Sequence, residues 1–260
     1  MNIIDTLLES VQADAPVRRV LVGAFWTAVV LETDPPRCGL ASTLRGATHD
    51  EGPPVPHAGH LLEYSGRELA GWLRSSSILE ASIGAAAFNA LLEPCPELRP
   101  EPVEGLAEGV DRVVCTEINA EDVILERGIG QRVAIVGHFP FVERVRRAAA
   151  ECWVIELHPR PGDVPAGQAG EVLPRADVVA LTGTSLINHT FDELIALCQS
   201  DAFVILLGAS APLSPVVFGY HVDAVSGTRV VDVPAALQAV GQGATFRQIP
   251  GKRLLTMMRE

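Results

Sequence analysis

From residue 132 onward, short apolar strands alternate with helices, and this alternation constrains the fold more than any other feature. Predicted strands cover residues 132–136, 153–157, 177–181 and 203–207, with shorter ones at 224–225 and 230–231. Predicted helices at 141–150 and 191–198 lie between them. Apolar strands that alternate with helices indicate a parallel sheet covered on both faces. We therefore predict the α/β fold class, with a Rossmann-like doubly wound parallel-sheet domain in this half.

The N-terminal part of the chain shows a different pattern. A short amphipathic helix is followed by β-branched runs at 17–22 and 27–32, which predict a hairpin, and a third strand is expected near Cys38. An alanine-rich helix at 78–93 is narrow enough to pack closely against a sheet. The next stretch, up to Asp111, carries four prolines and is typical of a linker. We predict two domains, residues 1–110 and 111–260.

Charge and hydropathy exclude several classes of partner. The formal net charge of −12, without a basic stripe, argues against nucleic acid, because phosphate binding needs clustered Lys and Arg. No basic segment precedes the first helix, and the longest apolar run, 20–31, is too short to cross a bilayer. We expect a cytoplasmic protein without a membrane partner. Five widely spaced cysteines without a CxxC predict buried thiols for the most part, not a disulfide framework or a zinc knuckle.

Small, polar and turn-forming residues follow four of the predicted strands. They form clusters at residues 137–140, 156–159, 182–185 and 208–212. In open α/β sheets, ligands bind outside the carboxyl ends of the strands, so these clusters are the candidate ligand site.

The first cluster, Gly137-His138-Phe139-Pro140, keeps the glycine of a tight turn. It lacks the further glycines that would let a pyrophosphate approach, so ordinary NAD binding is disfavoured. Pro140 suits the first turn of a helix, whose free N–H groups can receive an anion. A purely structural turn with His138 at the surface is the alternative.

Glu156 stands 19 residues after Gly137, at the end of the second strand. A carboxylate here commonly binds ribose hydroxyls, which keeps an adenosine or S-adenosylmethionine-like ligand open. Alternatively, Glu156 caps a turn, or it joins nearby side chains as a metal ligand. The metal-ligand candidates are His138, Glu156 and His158, with Asp163 as a further carboxylate.

The segment TGTSLINHTFDELIALC is the most informative in the chain. Thr182, Gly183 and Thr184 offer hydroxyls and backbone N–H groups at a strand end, as in a cradle for an anion or another polar ligand. Asn188 and Thr190 suit the following helix start, where Thr190 with Glu193 matches a capping box. The last cluster repeats the theme with Gly208 and Ser210.

Familiar catalytic signatures are missing from the sequence. There is no GxSxG elbow, Walker A loop or HExxH, which disfavours hydrolase and ATPase functions. His57 and His60 form an isolated HxxH without other ligands nearby, which is a weak metal signal.

Six segments together resemble the DUF364 family, in which a DUF4213 domain precedes the DUF364 domain. The proteins of this family are described as heavy-metal chelation proteins. The segments are VGAFWTAVVLE (22–32), SSILEASIGAAAFNALL (76–92), VAIVGHFPFVERVR (133–146), ELHPRPGD (156–163), LPRADVVALTGTSLINHTFDELIAL (173–197) and LLGASAPLSPVVF (206–218). The resemblance implies an enolase-N-terminal-like α+β domain, a Rossmann-like domain and a site in the cleft between them. Relatives carry Gly-Pro-Ser-Thr-Pro where this chain has residues 208–212, so Ala211 lacks the threonine hydroxyl that the relatives have at this position.

Three functions follow from these observations. The first is binding or handling of a heavy metal or metal chelate in the cleft, with a divalent metal ion as the cofactor that the resemblance suggests. The second is an enzyme that binds an adenosine-type cofactor or a small phosphorylated metabolite at the strand ends. The third is a binding module without turnover. Whether the protein is an enzyme stays open, and a homodimer is the default oligomer.

Overall fold

The computed structural model describes residues 2–46, 53–92 and 113–259. The helices are α1 (Ile3–Ser10), α2 (Gly66–Gly71), α3 (Ile78–Leu91), α4 (Ala120–Gly128), α5 (Val142–Ala148), α6 (Ala169–Val172), α7 (Thr184–Ile187), α8 (Phe191–Ala196) and α9 (Val233–Gly241). The strands are β1 (Val17–Val22), β2 (Trp26–Leu31), β3 (Arg37–Ser42), β4 (Val113–Thr116), β5 (Arg132–Val136), β6 (Glu151–Glu156), β7 (Val164–Pro165), β8 (Val178–Thr182), β9 (Phe203–Leu207), β10 (Ala224–Val230) and β11 (Lys252–Arg259). Short 3₁₀ turns include Trp72–Arg74, Ala166–Gln168 and Phe246–Gln248.

A three-stranded antiparallel sheet, in the order β1-β2-β3, forms the N-terminal half. The predicted hairpin, third strand and alanine-rich helix are all confirmed. Helix α3 begins after Ser77, whose hydroxyl accepts the N–H of Glu80, and its small side chains are nearly all buried. A Cβ placed on Gly84 would lie 2.1 Å from the backbone nitrogen of Leu73. The alanines and Gly84 therefore let α3 pack against its neighbours at backbone distance.

The C-terminal half is built on an eight-stranded sheet in the order β4-β11-β10-β9-β8-β5-β6-β7. Strands β10, β9, β8, β5, β6 and β7 run parallel, and β11 and β4 are antiparallel to their neighbours. The chain starts the parallel part at β5, adds β6 and β7 on one side, and then returns to place β8 on the other side. Strand order therefore reverses at β5. Such a reversal leaves a crevice at the carboxyl ends of the strands, where open α/β sheets bind their ligands.

Several details differ from the sequence-based prediction. The two short strands expected at 224–225 and 230–231 are one continuous strand, β10, because it pairs along its whole length with β11. Neither β11 nor its other neighbour β4 was predicted. Both lie where the sheet is antiparallel, and β11 has an irregular burial pattern instead of a continuous apolar run. The linker predicted from residue 93 to 111 falls outside the described residues, so the domain boundary stays a prediction.

Three cysteines, Cys38, Cys152 and Cys198, are free thiols, but Cys115 is disulfide-bonded, so the expectation of thiols is wrong at that position. Burial raises the pKa of the Cys38 and Cys198 thiols to about 12, which keeps both protonated. Within the described ranges, no helix is long and apolar enough to span a membrane.

An ion pair joins the first residue of β5 to the start of β8. The carboxylate of Asp177 accepts two hydrogen bonds from the Arg132 guanidinium, at 2.9 and 2.5 Å, and one from its backbone N–H. The hydrogen bonds from Arg132 lower the pKa of Asp177 to about 2 from 3.8. Because the folded-state pKa lies below the unfolded one, the stabilisation is present above about pH 4 and is lost as the pH falls towards 2.

We expect Asp177→Asn to lower the free energy of unfolding at pH 7 by about 1 kcal/mol, the range for a partly exposed pair. The variant should also lose part of the acid dependence of stability between about pH 4 and pH 2. Urea unfolding at a series of pH values measures both effects. Glu126→Gln, at an exposed position of α4, is the control and should unfold like the wild type. Equal acid profiles for Asp177→Asn and the wild type would refute the assignment.

Candidate functional site

A cavity of about 1190 Å³ opens at the carboxyl ends of β5, β6, β8 and β9. All twelve residues predicted to bind a ligand line this one cavity: Gly137, His138, Phe139, Pro140, Glu156, Thr182, Gly183, Thr184, Asn188, Thr190, Gly208 and Ser210. His158, the thirteenth candidate, is exposed and does not line it. The structure therefore brings the four strand-end clusters together, as expected for loops that leave one edge of a parallel sheet.

The N-terminal half contributes Trp26 and Ser42 to the same cavity. Two direct contacts hold the halves together at this point. The backbone N–H of Ser42 donates to the Ser210 hydroxyl at 2.9 Å. The side-chain amide of Asn89, on α3, donates to the carbonyls of Leu40 and Ala209 at 3.0 and 3.2 Å. Ser210, predicted as a ligand residue, is thus already engaged in joining the two halves.

The loop after β5 is shaped by Gly137, whose φ of +99° is a conformation that other residues rarely adopt. The following residue, His138, donates its backbone N–H to Glu156 Oε1 at 2.8 Å, and the Leu157 N–H donates to Oε2 at 3.2 Å. Oε1 of Glu156 therefore joins the end of β6 to the loop after β5, whereas Oε2 accepts from the residue that follows Glu156.

The predicted placement of Pro140 in the first turn of a helix is wrong. Helix α5 begins at Val142, after a separate turn in which the Val142 N–H donates to the Phe139 carbonyl at 3.2 Å. The rings of Phe139 and Phe141 stack at 5.2 Å between centroids, which fixes this turn. An anion site on the helix N-terminus is consequently not supported for this seven-residue helix.

The His138 imidazole is held by a buried carboxylate. Its Nε2 lies 2.8 Å from Asp163 Oδ2, and the Asp163 side chain is only 4% exposed. The Arg160 backbone N–H and the His138 ring both hydrogen-bond to Asp163 and lower the pKa of its carboxyl group. Asp163 is therefore ionised and can only accept, so the proton of this bond belongs to Nε2. In the neutral ring, Nδ1 then carries the lone pair, and no described residue hydrogen-bonds to it.

The two threonines after β8 are bonded to each other. The hydroxyls of Thr182 and Thr184 lie 2.9 Å apart, and the Thr184 N–H donates to Thr182 Oγ1 at 3.3 Å. The predicted capping box of Thr190 with Glu193 is wrong. The Thr190 hydroxyl donates to Asn188 Oδ1 at 2.8 Å, because the short helix α7 and the left-handed His189 (φ +61°) turn the chain before α8 begins.

The predicted metal ligands His138, Glu156 and His158 are not brought together as a three-residue cluster. Throughout the described ranges, no three His, Cys, Asp or Glu side chains are arranged to hold a metal ion. Glu156 is engaged by two backbone N–H groups, and His158 is exposed and does not line the cavity. Any bare-metal site in this part of the chain would lack the three or four protein ligands that such sites use.

The cavity residues that the sequence-based prediction missed include Trp26, Thr228, Phe246 and Lys252. Three of them lie on or beside β10 and β11, a strand pair that the hydropathy pattern did not reveal. One signal was nonetheless present, because Lys252 is the only lysine in the sequence.

Comparison with known proteins agrees with the resemblance noted from the sequence. Residues 119–259 match DUF364 and residues 4–92 match DUF4213, both described as "Putative heavy-metal chelation". An uncharacterized protein from Methanocaldococcus jannaschii is 27% identical over 169 residues, which cover 63% of this chain and 60% of that protein.

Two crystal structures of DUF364 proteins with unknown function share the fold over nearly the whole chain. The protein from Desulfitobacterium hafniense is 21% identical, with a TM-score of 0.77, covering 99% of this chain and 98% of that one. The protein from Pyrococcus horikoshii is 18% identical, with a TM-score of 0.78 and coverages of 98% and 97%. At these identities the structures establish a common fold and not a common ligand. The DUF364 match extends over more than half of the length of this chain. The chain therefore belongs to the DUF364 family, with a DUF4213 segment preceding the DUF364 region.

Proposed function

We propose that this protein binds a metal chelate, that is, a metal ion carried by a small organic molecule. The site is the cleft between an enolase-N-terminal-like half (residues 1–110) and a Rossmann-like half (residues 111–260). The observation that carries the proposal is the His138–Asp163 pair in a cavity that has no three-ligand metal cluster among the described residues.

A carboxylate that fixes a histidine is a recurring feature of metal-binding histidines. The carboxylate accepts the N–H of one ring nitrogen and leaves the other nitrogen available to the metal. Asp163 does this to Nε2 of His138, so Nδ1 is the donor atom that the protein offers. One imidazole is too little for a bare ion, but it can complete the coordination of a metal whose other ligands come from a chelator.

The size of the cavity also favours a metal chelate as the ligand. Small-molecule sites usually enclose a few hundred to about 1,000 Å³, far more than a bare ion needs. The cavity of about 1190 Å³ has room for an organic chelator around the metal. The family description, heavy-metal chelation, is consistent with this reading without specifying the ligand.

The test uses Ni²⁺–nitrilotriacetate, a complex with open coordination positions, and free Ni²⁺ as the comparison. We expect calorimetry to detect the complex in the wild type and a loss of at least about tenfold in affinity for His138→Ala. Asp163→Asn should also weaken binding by about tenfold, because it releases the imidazole from its orientation. His158→Ala is the matched control and should bind like the wild type, since His158 does not line the cavity.

A wild type that binds the complex no better than His138→Ala does would refute the proposal.

The second candidate function is binding of an adenosine-type ligand. It is favoured by the position of Glu156 at the end of β6, the strand beside β5, where strand order reverses. Thermal stabilisation by S-adenosylmethionine or adenosine nucleotides, together with indifference to metal complexes, would support that candidate instead. Both Glu156 oxygens already accept backbone N–H groups, which is why we rank it second.

A further inference from the structure

A second part of the cavity, away from His138, is lined by side chains that can donate hydrogen bonds. Lys252 is the first residue of β11 and the only lysine in a chain that carries nineteen arginines. Thr228 lies on the neighbouring strand β10, and Trp26 begins β2 in the N-terminal half. All three residues line the cavity together with Phe246.

The register of β10 and β11 places Thr228 and Lys252 on the same face of the sheet. Val230 pairs with Lys252, and Thr228 pairs with Leu254, so the two residues are diagonal neighbours across an antiparallel pair. Diagonal neighbours on one face are about 7–8 Å apart, within reach of a long side chain. The start of β11 is fixed because the carbonyl of Gly251 accepts the N–H groups of Val231 and Asp232, at 2.7 and 3.0 Å.

Aromatic contacts connect Lys252 to Trp26 through Phe246. The Lys252 Nζ lies 4.9 Å from the centroid of the Phe246 ring, and the Trp26 and Phe246 rings are 5.2 Å apart. Lys252 also donates to the carbonyl of Ile249 at 2.6 Å. The ammonium group is therefore positioned by an aromatic face and a backbone carbonyl, at the junction of the two halves.

Two of these three side chains, Trp26 and Thr228, have unused hydrogen-bonding groups among the described residues. The indole N–H of Trp26 and the hydroxyl of Thr228 are buried, and neither has a hydrogen-bond partner in the described part of the chain. Lys252 has no carboxylate partner there either, and burial lowers the pKa of its ammonium group. An unmade hydrogen bond of a buried donor costs free energy, as does an unpaired charge away from water.

None of the described carboxylates that line the cavity is paired with Lys252. Glu121 pairs with Arg144, and both oxygens of Glu156 accept backbone N–H groups. Glu193 is exposed at the rim, on α8. In residues 2–46, 53–92 and 113–259, no carboxylate neutralises Lys252 or accepts from Trp26, so a negative group of the ligand can take this place.

We propose that Trp26, Thr228 and Lys252 form an oxyanion subsite that binds a carboxylate or phosphate group of the ligand in the cleft. Indole N–H and ammonium groups only donate, and a threonine hydroxyl can donate, which matches an oxygen anion and excludes a cation. The subsite rests on the proposed function in one respect: it identifies the chelator as an anionic organic molecule whose charged group lies at Lys252 while its metal meets His138.

The single lysine provides a direct test on the intact protein. Trinitrobenzenesulfonate modifies primary amines, so Lys252 and the chain terminus are its targets, and mass spectrometry of arginine-terminated peptides separates them. We expect millimolar citrate or inorganic phosphate, each without metal, to slow modification of Lys252 and leave the terminus unaffected. The stronger of the two anions identifies the carboxylate or the phosphate as the preferred group.

Conservative variants test the individual donors in calorimetric titrations with the stronger anion. Lys252→Met should weaken binding by about tenfold or more, and Trp26→Phe and Thr228→Val by about fivefold each. Arg253→Met removes the same charge from the next, exposed residue of β11, which does not line the cavity, and should bind like the wild type. The Trp26 indole N–H signal in a ¹H–¹⁵N spectrum, assigned with Trp26→Phe, should shift when the anion is added.

The outcomes separate this proposal from the preceding one. Anion binding that depends on Lys252 and survives in His138→Ala supports the subsite even if no metal complex binds. Metal-chelate binding that is lost in His138→Ala and unchanged in Lys252→Met refutes the subsite and leaves the proposed function intact. Equal labelling rates of Lys252 with and without both anions, and an unmoved Trp26 signal, would also refute it.

Discussion

Gly183→Ala should destabilise the protein by about 3 kcal/mol and weaken ligand binding in the cleft. A Cβ at this position would lie 2.3 Å from the nitrogen of Ala211 and 2.7 Å from the carbonyl carbon of Ser210. Both are backbone atoms, so no side chain can rotate away to relieve the overlap. The loop after β9 has to move away from the loop after β8, and it carries Ser210 and its contact with Ser42 along.

The cost at Gly183 is steric and not conformational. Its φ of −61° and ψ of −14° are ordinary right-handed helical values that alanine adopts readily. Gly167 provides the matched control, because it lines the same cavity and has no heavy atom within 4 Å of its own Cβ position. Gly167→Ala should stay within about 0.5 kcal/mol of the wild type. Urea unfolding and Ni²⁺–nitrilotriacetate titration measure the two effects, and equal stability of the two variants would contradict the steric argument.

Gly84→Ala should have a comparable effect on stability, in the N-terminal half. Inside an exposed helix this substitution is favourable by about 1 kcal/mol, because alanine is the better helix former. Here the added Cβ would meet the backbone of the Trp72–Arg74 turn, at 2.1 Å from the Leu73 nitrogen and 2.6 Å from the Trp72 carbonyl carbon. Separation of two closely packed backbones outweighs the helix propensity, and we expect a net loss of about 3 kcal/mol or failure to fold.

The same substitution at Gly71 should have the opposite sign. Gly71 ends α2 in the same layer, but open space surrounds its Cβ position. Gly71→Ala should therefore stabilise the protein by up to about 1 kcal/mol. Thermal and urea unfolding of the two variants, measured side by side, separate propensity from packing. A Gly84→Ala protein as stable as Gly71→Ala would show that α3 does not pack at backbone distance.

The sequence allowed the parallel part of the large sheet to be predicted well. Strands β5 and β9 have the bounds expected from their apolar runs, because strands buried on both faces leave an unambiguous hydropathy signal. Strand β11 gave no such signal, because it is antiparallel and carries Lys252 and Arg253 beside its apolar residues. Because β11 was not predicted, the cavity residues on this strand, including Lys252, were missed.

The candidate site could be located from the sequence, but not its internal bonding. Residues that follow strands of one sheet converge at one edge by topology alone, which is why the twelve predicted ligand residues meet in one cavity. The hydrogen-bond partner of each side chain depends on loop conformations that local patterns do not encode. Asp163 accepts from His138 across 25 residues, and Thr190 bonds to Asn188 in place of the expected cap.

The reversal of strand order at β5 has a consequence for how the ligand of this cleft can change during evolution. The hollow arises because the chain connections after β5 and β8 leave the sheet on diverging paths, and no single side chain creates it. Proteins that share this strand order therefore share the cleft, and we expect the side chains that line it, such as His138 and Lys252 here, to decide which ligand binds.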